Sequence, residues 1–284
     1  MRNILIIGAG RSATYLIDYL LEKSATENLH LTIGDLSEEL ARQKTKNHPN
    51  ATPLAFDIFN ETQRQTEIAK ADIVISMLPA HLHYEVAKDC ITYKKHMVTA
   101  SYISPAMAEL EEKVRNAGLV FMNECGLDPG IDHMSAMKVL DEIREKGGKM
   151  VLFESFCGGL VAPESDNNLW NYKFTWNPRN VVLAGQGGAA KFIQEGNYKY
   201  IPYNKLFRRT EFMEVEGFGR FEGYANRDSL KYRSVYGLDD VLTLYRGTLR
   251  RVGFSRAWNI FVTLGMTDDT YTIETVSYTH LTLP

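Results

Sequence analysis

The sequence predicts an α/β chain, with a parallel sheet covered on both faces over residues 1–126 and an α+β domain over residues 127–275. Three observations carry this. Six short β-branched runs alternate with amphipathic runs as far as about Gly126, and a glycine-rich turn follows the first run directly. After Gly126 the rhythm changes to one helix, then strands and long loops rich in Gly, Asn, Tyr and Arg.

The strand runs, in order, are NILIIG (3–8), LHLTIGD (29–35), TPLAFD (52–57), DIVISMLP (72–79), HMVTAS (96–101) and LVFMNE (119–124). They are apolar on both faces, as strands of a doubly covered sheet must be. Between them, SEELARQKTKNH is predicted to start a helix at Ser37, and SPAMAELEEKVRNAG to form one helix with Ser104 at its N-cap, Pro105 at its first position and Gly118 beyond its end. The run DHMSAMKVLDEIREKGG, closed by Gly147 and Gly148, opens the second part. Residues 276–284 continue no earlier pattern, so a non-native tail on a chain shortened at its C-terminal end is expected.

Each small residue of IIGAGRSATYLIDYLL has a physical task at the mouth of the first helix, where Leu16, Tyr19 and Leu20 recur at helical spacing. Gly8 makes the tight turn, Gly10 lets the backbone approach a pyrophosphate, and Ala13 permits close packing of helix on strand. That is the dinucleotide fingerprint of a Rossmann domain. Asp35, ending the second strand, suits the adenosine ribose hydroxyls and repels a 2′-phosphate, which favours NAD; Arg11 leaves NADP open.

In open α/β sheets ligands sit beyond the carboxyl ends of the strands. Met77-Leu78-Pro79, Ser101-Tyr102 and the stretch from Asn123 to Pro129 are therefore expected to face one crevice, with Asp128 near the nicotinamide end. The segments SYISP, GLDPGIDH and SFCGG could converge there, with Tyr102, Asp128, His133 and Cys157 as titratable candidates for moving protons beside a hydride transfer. Asp-Pro-Gly is equally a turn signal. A histidine at a helix start is commonly a capping or packing residue, and a free cysteine commonly a small buried apolar group. Downstream, Arg227, Arg233, Arg246, Arg250 and Arg251 stand among tyrosines and glycines, as suits a substrate with several carboxylates.

Taken in order, GAGRSA, TASYISP, GLDPGIDH, SFCGGLVAPESDNNLWNYKFTW, YANRDSL and YRGTLRRVGF closely resemble the glutamate-forming saccharopine dehydrogenases, over almost everything to about residue 275. The resemblance implies a pyridine-nucleotide enzyme of lysine metabolism that interconverts saccharopine with L-glutamate and 2-aminoadipate 6-semialdehyde. It places the acid/base work on Asp128, Tyr102 and Cys157, and substrate binding on Tyr102, Ile103, Asp128, Arg227, Gly247 and Thr248. Cofactor contacts would fall on Gly8, Gly10, Arg11, Ser12, Ala13, Asp35, Leu78, Ser104, Leu127, Asp128, Pro129, Cys157, Trp176 and Asn177. Fungal members resemble NADP enzymes, whereas Asp35 points to NAD, and the family continues past residue 275. Alternatives are a carboxynorspermidine-type reductive condensation, which takes a diamine in place of glutamate, or a silent dinucleotide sensor.

Composition excludes other classes. With 44% hydrophobic residues, 24% charged and a formal charge of −3, the chain has no basic stripe for nucleic acid. No apolar run reaches the length that spans a bilayer, and no signal peptide is apparent. Three cysteines, Cys90, Cys125 and Cys157, lack metal-ligand spacing, so no metal and a reducing, cytoplasmic setting are expected. The expected partner is a small molecule rich in carboxylates, and a homodimer is left open.

Overall fold

The computed structural model describes residues 1–184 and 188–271, so the expected tail at 276–284 lies outside the described residues. The chain divides into two compact units, one ending at Ser135 and one beginning at Ala136.

The first unit holds six parallel strands: β1 Arg2–Ile7, β2 Leu29–Asp35, β3 Ala51–Ala55, β4 Ile73–Ser76, β5 His96–Thr99 and β6 Phe121–Met122. Their order is β3-β2-β1-β4-β5-β6, and the reversal of direction beside β1 makes the crevice predicted above its carboxyl end. The crossovers run through α1 Thr14–Lys23, α2 Glu38–Thr45, α3 Glu61–Lys70, α4 His83–Thr92, and the short α5 Pro105–Ala108 and α6 Glu111–Asn116.

Strand alternation divides β1 between two cores. Ile4 and Ile6 pack with Leu31, Ile33 and Ile75 against Ile17 and Leu21 of α1, whereas Leu5 and Ile7 pack with Val74 and Met97 against Ile68, Val86 and Cys90. Each such buried side chain contributes roughly 1.5–3 kcal/mol relative to exposure, so the sheet centre is the rigid platform of the crevice. Tyr19, expected on the packed face of α1, is 59% exposed; Ile17 and Leu21 take that stripe instead. The helix expected from Ser104 to Gly118 is two helices, with Leu110 buried between them. Its cap and its end are as expected, since the Ser104 hydroxyl accepts from Met107 N and Gly118 has φ +66°.

Helix α7, Ile131–Glu145, runs across the division between the units and ends before Gly147, whose φ is +73°. The second unit contains β7 Leu152–Cys157, α8 Pro178–Val182, β8 Ala190–Gln194, β9 Asn197–Ile201, α9 Tyr203–Leu206, β10 Glu211–Val215, β11 Gly219–Ala225, α10 Tyr232–Val235, β12 Thr243–Arg251 and α11 Phe254–Thr263. Its sheet is mainly antiparallel, β10-β11-β12-β8-β9, with β7 parallel to β12. Among the described residues no helix is long and apolar enough to cross a membrane.

Candidate active site

The glycine turn is built to receive a phosphate. Gly8, with φ +106°, donates to Gly34 O at 2.7 Å, and a Cβ there would lie 2.9 Å from Met77 O, so no side chain fits between β1 and β4. At Gly10 a Cβ would meet nothing within 4 Å, which leaves that side of the turn open. A 3-10 turn, Arg11–Ala13, intervenes before α1, which the sequence had opening directly on the helix; neither it nor α1 has a side-chain cap or an acid in its first turn. Helix-start amides without such an acceptor suit an anion. Arg11 and Ser12 are exposed here and Ala13 is fully buried. The Asp35 carboxylate reaches the same turn, accepting from Ala9 N at 2.9 Å and from Ser37 N at 3.0 Å. The residues present thus fit a dinucleotide: glycine backbone and helix start for the pyrophosphate, Asp35 at the ribose end.

Tyr102 and Asp128 meet, as expected. The phenol donates to Asp128 Oδ1 at 2.5 Å, and both residues are half-buried. Asp128 rides on a loop closed upon itself: Gly126 N donates to Pro129 O at 2.9 Å, Ile131 N to Gly126 O at 2.9 Å and Asp132 N to Leu127 O at 3.1 Å. The Asp128–Pro129 peptide is cis. Around the pair, Ile103 and Leu127 are exposed, Pro129 is buried, and Leu78 packs half-buried against the core beyond β4. Ser104, expected at the cofactor, uses its hydroxyl to cap α5, 3.2 Å from Met107 N.

Sequence reasoning passed over the groups that back this pair. Glu124, read as a strand residue, has φ +58° and directs its carboxylate to Ile103 N at 3.1 Å and to His133 Nε2 at 3.3 Å. His133 also stands 3.8 Å from Asp132 Oδ2 through Nδ1, and Asp132 Oδ1 accepts from Gly130 N at 2.8 Å. His133 thus lies half-buried between the two carboxylates.

On the other side, buried His83 bridges the strand ends. Its Nδ1 is 2.8 Å from Ser76 Oγ, and its Nε2 is 2.7 Å from Ser101 Oγ and 3.3 Å from Thr99 Oγ1. Burial first, and His81 second, pull the His83 imidazole down to about 4. Unfolded, it would titrate near 6.5. Between those values only the unfolded state takes up the proton, so stability from neutral His83 is whole above about 6.5 and declines as pH falls toward about 4. Going from pH 7 to pH 5 is expected to remove about 2 kcal/mol through this residue. The check is the fall in urea midpoint between those pH values, which should shrink in a His83→Gln variant.

The remaining predicted residues belong to the second unit. Cys157 ends β7 and pairs with Thr248 of β12, which pairs in turn with Tyr224 of β11. Neighbouring Gly247 is a necessity of packing, because a Cβ there would lie 2.3 Å from the Phe156 ring. Arg227, just past β11, is exposed with φ +43°, and its carbonyl accepts from Lys191 N at 2.7 Å.

The other arginines of the expected group are engaged within the unit. Arg246 is buried with its guanidinium 4.3 Å from the Tyr232 ring centroid, and Arg250 lies over Tyr172 and Phe254. Arg251 faces Phe221 and Asp166, and Arg233 donates to Tyr198 Oη at 3.0 Å. Trp176 is exposed, and Asn177 caps α8 by accepting from Arg179 N at 3.0 Å. Among the described residues no group of three or more His, Cys, Asp or Glu could hold a metal, and none of the three cysteines is in a disulfide.

Two family models match the chain one after the other. Residues 4–122 match the family model described as the saccharopine dehydrogenase NADP binding domain, and residues 126–282 the one described as the saccharopine dehydrogenase C-terminal domain. A saccharopine dehydrogenase (NADP(+), L-glutamate-forming) of Pyricularia oryzae is 37% identical over 94% of this chain and 58% of its own length. The mitochondrial alpha-aminoadipic semialdehyde synthase of Mus musculus is 39% identical over 93% of this chain and 28% of its own. The solved apo saccharopine dehydrogenase (L-Glu forming) from Saccharomyces cerevisiae superposes with a TM-score of 0.83 at 36% identity, covering 96% of this chain and 60% of that one. The chain spans less than two thirds of each.

Proposed function

The chain belongs to the saccharopine dehydrogenase family, and from that membership we propose that it forms the cofactor-binding and catalytic part of an oxidoreductase interconverting saccharopine with L-glutamate and 2-aminoadipate 6-semialdehyde. The observation that carries the reading is the Tyr102–Asp128 pair, held at the sheet's carboxyl end in the same unit as the glycine turn.

The cofactor is a nicotinamide dinucleotide, which supplies a hydride acceptor when bound to the turn at Gly8–Ala13. In the oxidative direction the secondary amine of saccharopine loses a proton from nitrogen and a hydride from the adjoining carbon. The resulting imine takes up water and separates into amine and aldehyde. Asp128 holds the cationic amine and accepts its proton, as a carboxylate positioned for general base catalysis does. Tyr102 fixes the carboxylate and hands protons on during water addition, with Cys157 assisting. Arg227 grips a substrate carboxylate bidentately. Neither the diamine-using condensation nor the silent sensor is represented among the relatives named above.

The names of the fungal relatives favour NADP. Asp35 is the residue against it, because its carboxylate at the turn would face a 2′-phosphate. We infer a preference for NAD in this chain. The test is turnover of saccharopine by the full-length protein with each cofactor: kcat/KM is expected to be about tenfold or more higher with NAD, and Asp35→Ser to narrow that ratio, a factor of ten being about 1.4 kcal/mol. A higher value with NADP would leave Asp35 with its structural bonds alone. No turnover with either cofactor would remove the reaction itself.

A further inference from the structure

We propose that Glu124 is a positioning residue for the Tyr102–Asp128 pair, tying the two loops that carry them into one frame; the proposal rests on the functional reading above only for what the pair does. The loops leave the sheet separately. Tyr102 follows β5 and Asp128 follows β6, and the phenol–carboxylate bond is set by where those two loops stand. Glu124 touches both. Its Oε1 accepts from Ile103 N, the residue after Tyr102, at 3.1 Å, and its backbone N donates to Ser101 O, the residue before Tyr102, at 3.0 Å. Its Oε2 stands 3.3 Å from His133 Nε2.

The other loop is reached along the chain, because His133 directly follows Asp132 at the start of α7. Its Nδ1 is 3.8 Å from Asp132 Oδ2, and Asp132 Oδ1 takes the N–H of Gly130, two residues beyond Asp128. Glu124 thus ties the residues on either side of Tyr102, and its 3.3 Å approach to His133 sets it beside Asp132, which holds the far arm of the Asp128 loop. The left-handed backbone at Glu124, φ +58°, is uncommon for a residue with a side chain, and strain of this kind persists only where the surroundings hold it. Here the residue's carboxylate meets Ile103 N, next to Tyr102.

The chemical consequence is geometric. Pairs that move protons depend on sub-ångström placement, and a displacement of about 1 Å can lower turnover by about 10²-fold without weakening binding. Glu124 need not touch the substrate for this.

The experiment uses the full-length protein and its Glu124→Ala and Glu124→Gln variants. Steady-state kinetics with saccharopine are measured together with dinucleotide affinity, melting temperature and the ¹³Cζ resonance of Tyr102, assigned by its loss in Tyr102→Phe. Glu124→Ala is expected to lower kcat by about 10–100-fold, to leave KM within about threefold and dinucleotide affinity unchanged, and to move the Tyr102 resonance. Glu124→Gln, whose carboxamide oxygen still accepts from Ile103 N, should recover most of kcat and the resonance. An unmoved Tyr102 resonance in Glu124→Ala overturns the proposal, whatever reaction the protein performs. So does a wild-type kcat in that variant. If wild type fails to turn over saccharopine but the resonance still moves, the reaction is wrong and the positioning stands.

Discussion

Replacing Asp128 by alanine is expected to lower turnover by about 10²–10⁴-fold, the range for losing a group that transfers a proton in the transition state. The carboxylate lies at 2.5 Å from the Tyr102 hydroxyl, so the variant removes both the anion proposed to meet the amine and the acceptor of the phenol's hydrogen bond. Stability should change little, by about 1 kcal/mol, because Asp128 is only half-buried and the hydroxyl it leaves can bond water. Dinucleotide affinity should hold, because the glycine turn is untouched. Asp128→Asn separates the two duties: an amide oxygen still accepts from Tyr102 but cannot take a proton. If the charge matters, asparagine fails nearly as badly as alanine in a kcat measurement; if the carboxylate merely orients Tyr102, asparagine restores turnover. Wild-type turnover in both variants would remove Asp128 from the chemistry.

Much of the first unit was legible because its signals are local. The unbroken apolar run Ile4 to Ile7 and the runs at 29–35, 72–79 and 96–101 point to a sheet buried on both faces, and the structure gives strands within each of them. Gly8 and Ala13 could be read because each reports a close approach that a larger side chain would prevent. The break between α5 and α6 was not legible. Pro105 and Gly118 mark the two ends of that segment, while the interruption serves the burial of Leu110, which is tertiary.

The site divided in the same way. Asp128 and Tyr102 announced themselves, the first through its Pro and Gly flanks and the second through its place after a strand. Glu124 and His83 did not, because their importance lies in partners distant in sequence: Ile103 and His133 for one, Ser76 and Ser101 for the other. Nor does a glutamate at the end of an apolar run declare a left-handed backbone. The surroundings of the arginine group were hidden for a related reason. Arg246 and Arg250 lie against aromatic rings of their own unit, contacts that composition does not reveal, and Arg227 is exposed.

Gly130→Ala is the second large effect expected, and it acts through the backbone. Gly130 has φ +149°, and a Cβ built on it would fall 2.1 Å from Gly126 O and 2.5 Å from Gly126 N. Those are main-chain atoms of the same closed loop, paired across the Gly126–Gly130 bridge, so no side chain can turn aside to make room. The loop must open. Opening gives up the bonds from Gly126 N to Pro129 O and from Ile131 N to Gly126 O, and with them the placement of Asp128 opposite Tyr102. Unfavourable backbone geometry of this kind costs about 1–3 kcal/mol, and misplacement of the carboxylate is expected to remove at least about 10² of kcat. The two consequences are measured separately, by urea unfolding and by turnover. If the variant keeps both stability and kcat, the loop tolerates opening and Asp128 is not held by it; if stability falls while kcat is retained, the carboxylate finds its position by way of Tyr102 rather than through the loop.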